Sequence, residues 1–94
     1  MTVQTDVRSA TRTDTGTLIA ARSRVKAMTI SCTTAGVGSV VLKDGGAGGS
    51  TEISINTPAV AEIFNILIPA EGVLFETDVH ATLTNVSSVT VFYG

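Results

Sequence analysis

Aromatic residues, cysteine, proline and histidine are all scarce: the 94 residues include no Trp, one Tyr, three Phe, one Cys, two Pro and one His. A single thiol cannot close a disulfide within the chain, so folding has to rely on packing. One His and one Cys cannot supply a tetrahedral metal set, and no hydroxyl or thiol has an evident base beside it in sequence. The chain therefore reads as no enzyme, with no catalytic residue, no metal ligand and no cofactor-binding residue. Charge is sparse too. Six basic residues against eight acidic ones leave a net charge of −2, which provides no general pull toward nucleic acid or an anionic membrane. Neither is expected as a partner. No apolar run approaches bilayer length, and the opening MTVQTDVRSATRTDTG lacks the apolar stretch of a signal peptide, which fits synthesis in a cytoplasm without Sec export.

What the chain does have is apolar residues in short runs. Hydrophobic residues make up 44% of it and charged residues only 15%, with a mean hydropathy of +0.40, which is apolar for a protein with so much surface relative to its volume. The core of one domain this small leaves a narrow margin over conformational entropy, so further copies are expected to cover part of the surface.

Residues 1–16 are rich in Thr, Asp, Arg and Ser without periodic apolar positions, and they read as an extended arm, free or laid along a neighbouring subunit. Residues 17–94 read as one β domain. The stretch TLIAARSRVKAMTISCT (17–33) is long enough for two strands or one bent strand, with Val25, Met28, Ile30 and Cys32 offering apolar contacts. GVGSVVL (36–42) and STEISIN (50–56) flank the loop KDGGAGG, and the Asp44-Gly45 step supplies the positive φ that a hairpin reversal needs. Over 59–68 two periodicities compete. Val60, Ile63, Phe64 and Leu67 fit a helical stripe behind Thr57 as N-cap and Pro58 at the first helical position, whereas Phe64, Ile66 and Ile68 fit one face of a strand. The β-branched run closing on Pro69 favours a strand from about Glu62.

Ala70-Glu71-Gly72 reads as a turn and 73–76 as a short strand. Then 79–84 alternates Val79, Ala81 and Leu83 inward with His80, Thr82 and Thr84 outward. After a turn at 85–87, the strand 88–93 puts Val89, Val91 and Tyr93 on one face and Thr90 and Phe92 on the other, which suits an interior strand or one covered by a partner. About seven strands at this spacing indicate an all-β fold, a small antiparallel β-sandwich or jelly-roll-like domain.

Several residues invite a chemical reading and each has a simpler one. The glycine loop 45–49 could cradle a phosphate, but Ser50 and Thr51 enter a strand where a nucleotide site needs Lys-Ser/Thr and a helix. It reads as a hairpin loop. His80 points to the polar side of its strand and reads as a surface or interface residue. Glu71, Glu76 and Asp78 lack the ordered oxygen spacing of a calcium loop and read as solvated turn carboxylates. Cys32 reads as a small core residue rather than a nucleophile. Arg22, Arg24 and Lys26, at period two, fall on one face of an extended segment and form a basic stripe. It is the candidate docking site for an acidic protein surface, set against a solvated strand face that discourages edge aggregation.

Taken together, RSRVKAMTI, SVVLKDGGAGGSTEISINTPA and the closing IPAEGVLFETDVHATLTNVSSVTVFYG resemble small virion proteins of tailed bacteriophages, of the marine and cyanophage type. The shared pattern is a basic first strand (24–30), a Leu-Lys-Asp-Gly hairpin (42–45), an Ile-Pro turn leading to Gly-x-x-Phe (68–75) and a terminal Thr-Val-Phe-Tyr strand (90–93). The likeness spans about 22–94, leaves the arm unexplained and rests on turns and core residues. It implies a structural protein of the virion, made in the bacterial host cytoplasm, with no cofactor. It also implies a homo-oligomer, with a trimer favoured, bound to the major capsid protein or another virion protein. On that basis the expected role is a capsid decoration or cement protein on the outer head surface that stabilises the shell. The alternative is a tail, adaptor or fibre-tip component with a role in host-surface binding.

Overall fold

Alternating apolar residues and frequent turn residues divide the chain into nine strands in the computed structural model, which describes residues 8–68 and 72–94. These are β1 (Arg8–Arg12), β2 (Gly16–Ile19), β3 (Ser23–Cys32), β4 (Gly38–Asp44), β5 (Ser50–Thr57), β6 (Ile63–Leu67), β7 (Val73–Phe75), β8 (Val79–Thr84) and β9 (Val86–Tyr93), with no helix among the described residues. All pairings are antiparallel. One sheet runs β1-β9-β3-β6, with β7 pairing the first residues of β3, and the other runs β2-β8-β4-β5. The two-sheet architecture expected from the strand spacing is present, with nine strands instead of seven. Two changes account for the difference: 17–33 divides into β2 and β3, and β1 lies within the supposed arm.

The sheets stack through their apolar faces. Val25, Met28, Ile30, Val89 and Val91 of the first sheet meet Val40, Leu42, Val79 and Ala81 of the second, all essentially buried. Cys32 is buried among them. The shortest dimension of the molecule is 18 Å, as two sheets about 10 Å apart with outward side chains require.

The expectation of an arm through residue 16 is corrected for residues 8–16; residues 1–7 lie outside the described residues. Arg8–Arg12 pairs antiparallel with β9, from Arg8 opposite Tyr93 to Arg12 opposite Val89. The segment is held by the backbone ladder rather than by a buried apolar stripe, which is why hydrophobic periodicity does not reveal it. The Arg12 guanidinium then secures the corner into β2. It donates to the Asp14 carbonyl at 3.2 Å and the Thr17 carbonyl at 3.1 Å, and pairs with the Asp14 carboxylate at 2.8 Å. A Cβ at Gly16 would fall on that guanidinium.

At the other end of the chain, β8 and β9 lie in different sheets with only Asn85 between them. Asn85 takes φ of 48°, a left-handed conformation that Asn tolerates better than most residues, and its Nδ2 donates to the Val37 carbonyl at 3.0 Å. Gly38 passes so close to this bend that a Cβ there would meet the Thr84 carbonyl. The turn expected over 85–87 is thus a single-residue corner, and Val86 already pairs with Cys32.

β6 and β7 follow one another along the same side of β3, Ile63–Leu67 opposite 27–31 and Val73–Phe75 opposite 23–25. They behave as one interrupted rim. The register of β3 against β9 shifts between Val25 and Ala27, so Lys26 sits at a bulge, and the Ile68 N–H donates to the Lys26 carbonyl. Of the turn expected at 70–72, Ala70 and Glu71 lie outside the described residues, while Gly72 takes φ of 85° against the Val25 carbonyl.

Candidate functional site

The glycine loop has the backbone conformation of an anion cradle, and the protein fills it from within. Gly45 and Gly46 both have positive φ, and their N–H groups donate to Asp78 Oδ1 at 2.9 and 3.0 Å. In return, Asp44 accepts from the N–H groups of Glu76 at 2.9 Å, Thr77 at 2.8 Å and Asp78 at 3.4 Å. Each aspartate caps the other's turn, so the hairpin loop is fastened to the β7–β8 corner. The N–H groups of Glu76 and then Thr77 hold the Asp44 carboxyl below its ordinary range, since they favour the ionised form. Asp78 is therefore not the freely solvated carboxylate its turn position suggested. Glu76 is exposed, and Glu71 lies outside the described residues. Among the described residues no group of three or more His, Cys, Asp or Glu is placed to hold a metal.

His80 departs from its expected exposure. It lies in β8 between Thr17 of β2 and Lys43 of β4, in the middle of its sheet, and only 9% of its surface is accessible. Its Nδ1 has no hydrogen-bond partner.

The basic residues are only partly gathered. Arg22 precedes β3 and is exposed, while Arg24 and Lys26 are half-buried and alternate with the buried Ser23 and Val25. Here β3 is an interior strand, between β9 and β7, so guarding a sheet edge is not their role. Arg22 shares a groove of about 310 Å³ with Arg8, Ile19, Ser23 and Tyr93, at the corner where β1, β2 and β3 meet. Arg8 thus joins the basic patch across the sheet, a neighbour that sequence spacing could not reveal.

Three of the five exposed large hydrophobic residues among the described residues lie together in β6 on the opposite flank; Val37, just before β4, is another. Parity along β6 follows its pairing with β3. Phe64 and Ile66 share the inner face with Ile30 and Met28, and Ile63, Asn65 and Leu67 share the outer face with Ser31, Thr29 and Ala27. Ile63 is 66% exposed, Leu67 84% and Phe64 37%. On the inner side, an apolar groove of about 280 Å³ opens between β5 and β6, with Ile30, Ile55, Phe64 and Ile66 among its lining residues. Thr57 also lines the groove, and its Oγ1 is buried and unpartnered. The signal for this surface was present in the sequence, since IFNIL is apolar at both parities, but the pattern cannot say whether such a strand is interior or at an edge.

Comparison with family models, curated proteins and solved structures finds no match for this chain.

Proposed function

We propose that this protein is a structural, non-enzymatic component of a tailed-bacteriophage virion, a decoration or cement protein that binds the outer surface of the head. The observation that carries the assembly reading is the placement of its uncovered surface. Ile63, Phe64 and Leu67 cluster on one rim, whereas Arg8 and Arg22 line a groove of mixed polarity near the opposite rim. A protein that joins large partners needs two such patches; a small-molecule enzyme needs convergent polar groups in a cleft. Support for the virion itself comes from the likeness of 22–94 to small phage β proteins. The mechanism is passive: a clamp bound across capsomer boundaries favours the assembled shell over separated capsomers by mass action.

The test is co-sedimentation of the purified protein with expanded capsids, followed by labelling of intact particles. Binding to heads is expected. Replacing Arg22, Arg24 and Lys26 together with Gln should weaken it, with the larger loss at low salt, where surface charge is least screened. Label found on tails, or capsids that bind nothing, would defeat the decoration role.

A further inference from the structure

We infer that the free edge of β6 pairs with the β6 edge of a second copy about a two-fold axis through Asn65. The edge is available in the required sense. The Glu62 carbonyl and the Ile68 N–H both bond to β3, so by alternation Ile63, Asn65 and Leu67 direct their backbone N–H and C=O groups away from β3, toward the open side. These are the groups an added antiparallel strand would take up. Within β6 there is no charged residue and no Pro, two of the devices by which edges discourage pairing.

The choice of a second copy as the occupant comes from the residue order. Ile-Phe-Asn-Ile-Leu reads as apolar, apolar, polar, apolar, apolar in either direction. Antiparallel pairing centred on Asn65 sets Ile63 opposite Leu67 of the second copy, Phe64 opposite Ile66, and Asn65 opposite itself. Large apolar residues then meet across both faces of the new ladder, and the only polar residue meets its like, which is the self-complementarity an isologous contact requires. An unrelated partner has no reason to match that palindrome. The area is adequate as well. Ile63, Phe64, Leu67 and nearby Val60 expose on the order of 400 Å² per copy, the size of the largest apolar patch on a typical monomer and one that is often functional. Two such patches, with the paired edges and the groove beside Phe64 closed over, reach the roughly 1,000 Å² that a specific interface needs. The two copies would share one continuous sheet, and this holds whatever the protein attaches to.

A two-fold pair differs from the trimer that the phage resemblance implies, so the mass decides. Sedimentation velocity of the full chain between 1 and 100 µM should show a species of twice the 9.6 kDa chain mass. Leu67→Asp, at an exposed position that spares the core, should raise the dissociation constant by roughly 100-fold while leaving the circular dichroism unchanged. Adding Ile63→Lys to Leu67→Asp should restore the dimer, because residues 63 and 67 face one another across the axis. Asn65→Cys treated with a short bis-maleimide should give a cross-linked dimer, since hydrogen-bonded antiparallel pairs hold their Cα atoms at about 5.5 Å. The unmodified chain, with Cys32 buried, should not cross-link. A monomer at 100 µM, a trimer indifferent to Leu67→Asp, or Asn65→Cys that fails to cross-link would each overturn the pairing. None of these results bears on head binding, and loss of head binding with the dimer intact would leave the pairing standing.

Discussion

At the two rims of the first sheet stand five-residue strands of opposite character. β1, at one rim, is Arg-Ser-Ala-Thr-Arg, charged at both ends, and it packs beside β2 with its corner clamped by Arg12. β6, at the other, is Ile-Phe-Asn-Ile-Leu and stands off from β5 across an apolar groove. An added strand at β1 would have to dehydrate guanidinium groups, whereas at β6 it would cover hydrocarbon. Much of the apolar surface that the core does not cover is thus gathered at β6, while the charged ends of β1 discourage pairing there.

The sharpest way to break that contrast is to separate two pieces of the same rim. Phe75 in β7 is fully buried and Leu67 in β6 is almost bare, although both strands line β3. Phe75→Ala should cost about 3–5 kcal/mol in urea unfolding. Leu67→Ala should cost less than about 0.5 kcal/mol at dilutions where the chain is monomeric. Equal losses would show that β6 belongs to the core and not to an interface.

A smaller effect probes the protected rim. Arg12→Ala removes donors to the Asp14 and Thr17 carbonyls, and a loss of about 1 kcal/mol is expected. Hydrogen exchange should quicken in β1 and β2 while β6 amides stay as they were. Uniform acceleration across the molecule would mean that the corner is not a local fastening.

The smallest effect belongs to Asp44, which ties the hairpin loop without taking part in either rim. Its folded-state pKa lies below the ordinary value of 3.8. The stabilisation is therefore fully present above about pH 4 and is lost as pH falls through the lower folded value. Asp44→Asn should flatten that part of the acid unfolding curve. Identical acid profiles for the two proteins would remove Asp44 from the account.

Much of this architecture could be read from the residues alone, and the failures share a cause. The β4–β5 hairpin was legible because Asp44-Gly45 and the alternation of Ile53 and Ile55 act within a few residues of each other. β6 was legible as a strand because Phe64, Ile66 and Ile68 keep one parity up to a proline. β1 was hidden because its stability comes from a ladder to β9, eighty residues away, and from one guanidinium, not from apolar periodicity. The partnership of Asp78 with the glycine loop, the burial of His80 between β2 and β4, and the meeting of Arg8 with Arg22 are likewise products of topology. The surface now offered as an interface lay between these cases. Its residues were visible, but only the strand order revealed that they sit at an end of a sheet.

The corner at Asn85 carries a consequence for how the molecule comes apart. With one residue joining β8 in one sheet to β9 in the other, there is no slack by which either sheet could loosen while its companion stayed folded. The two should melt together as a single cooperative unit, and partial opening should be confined to the outermost strands, β1, β2, β5, β6 and β7, which have a neighbour on one side only.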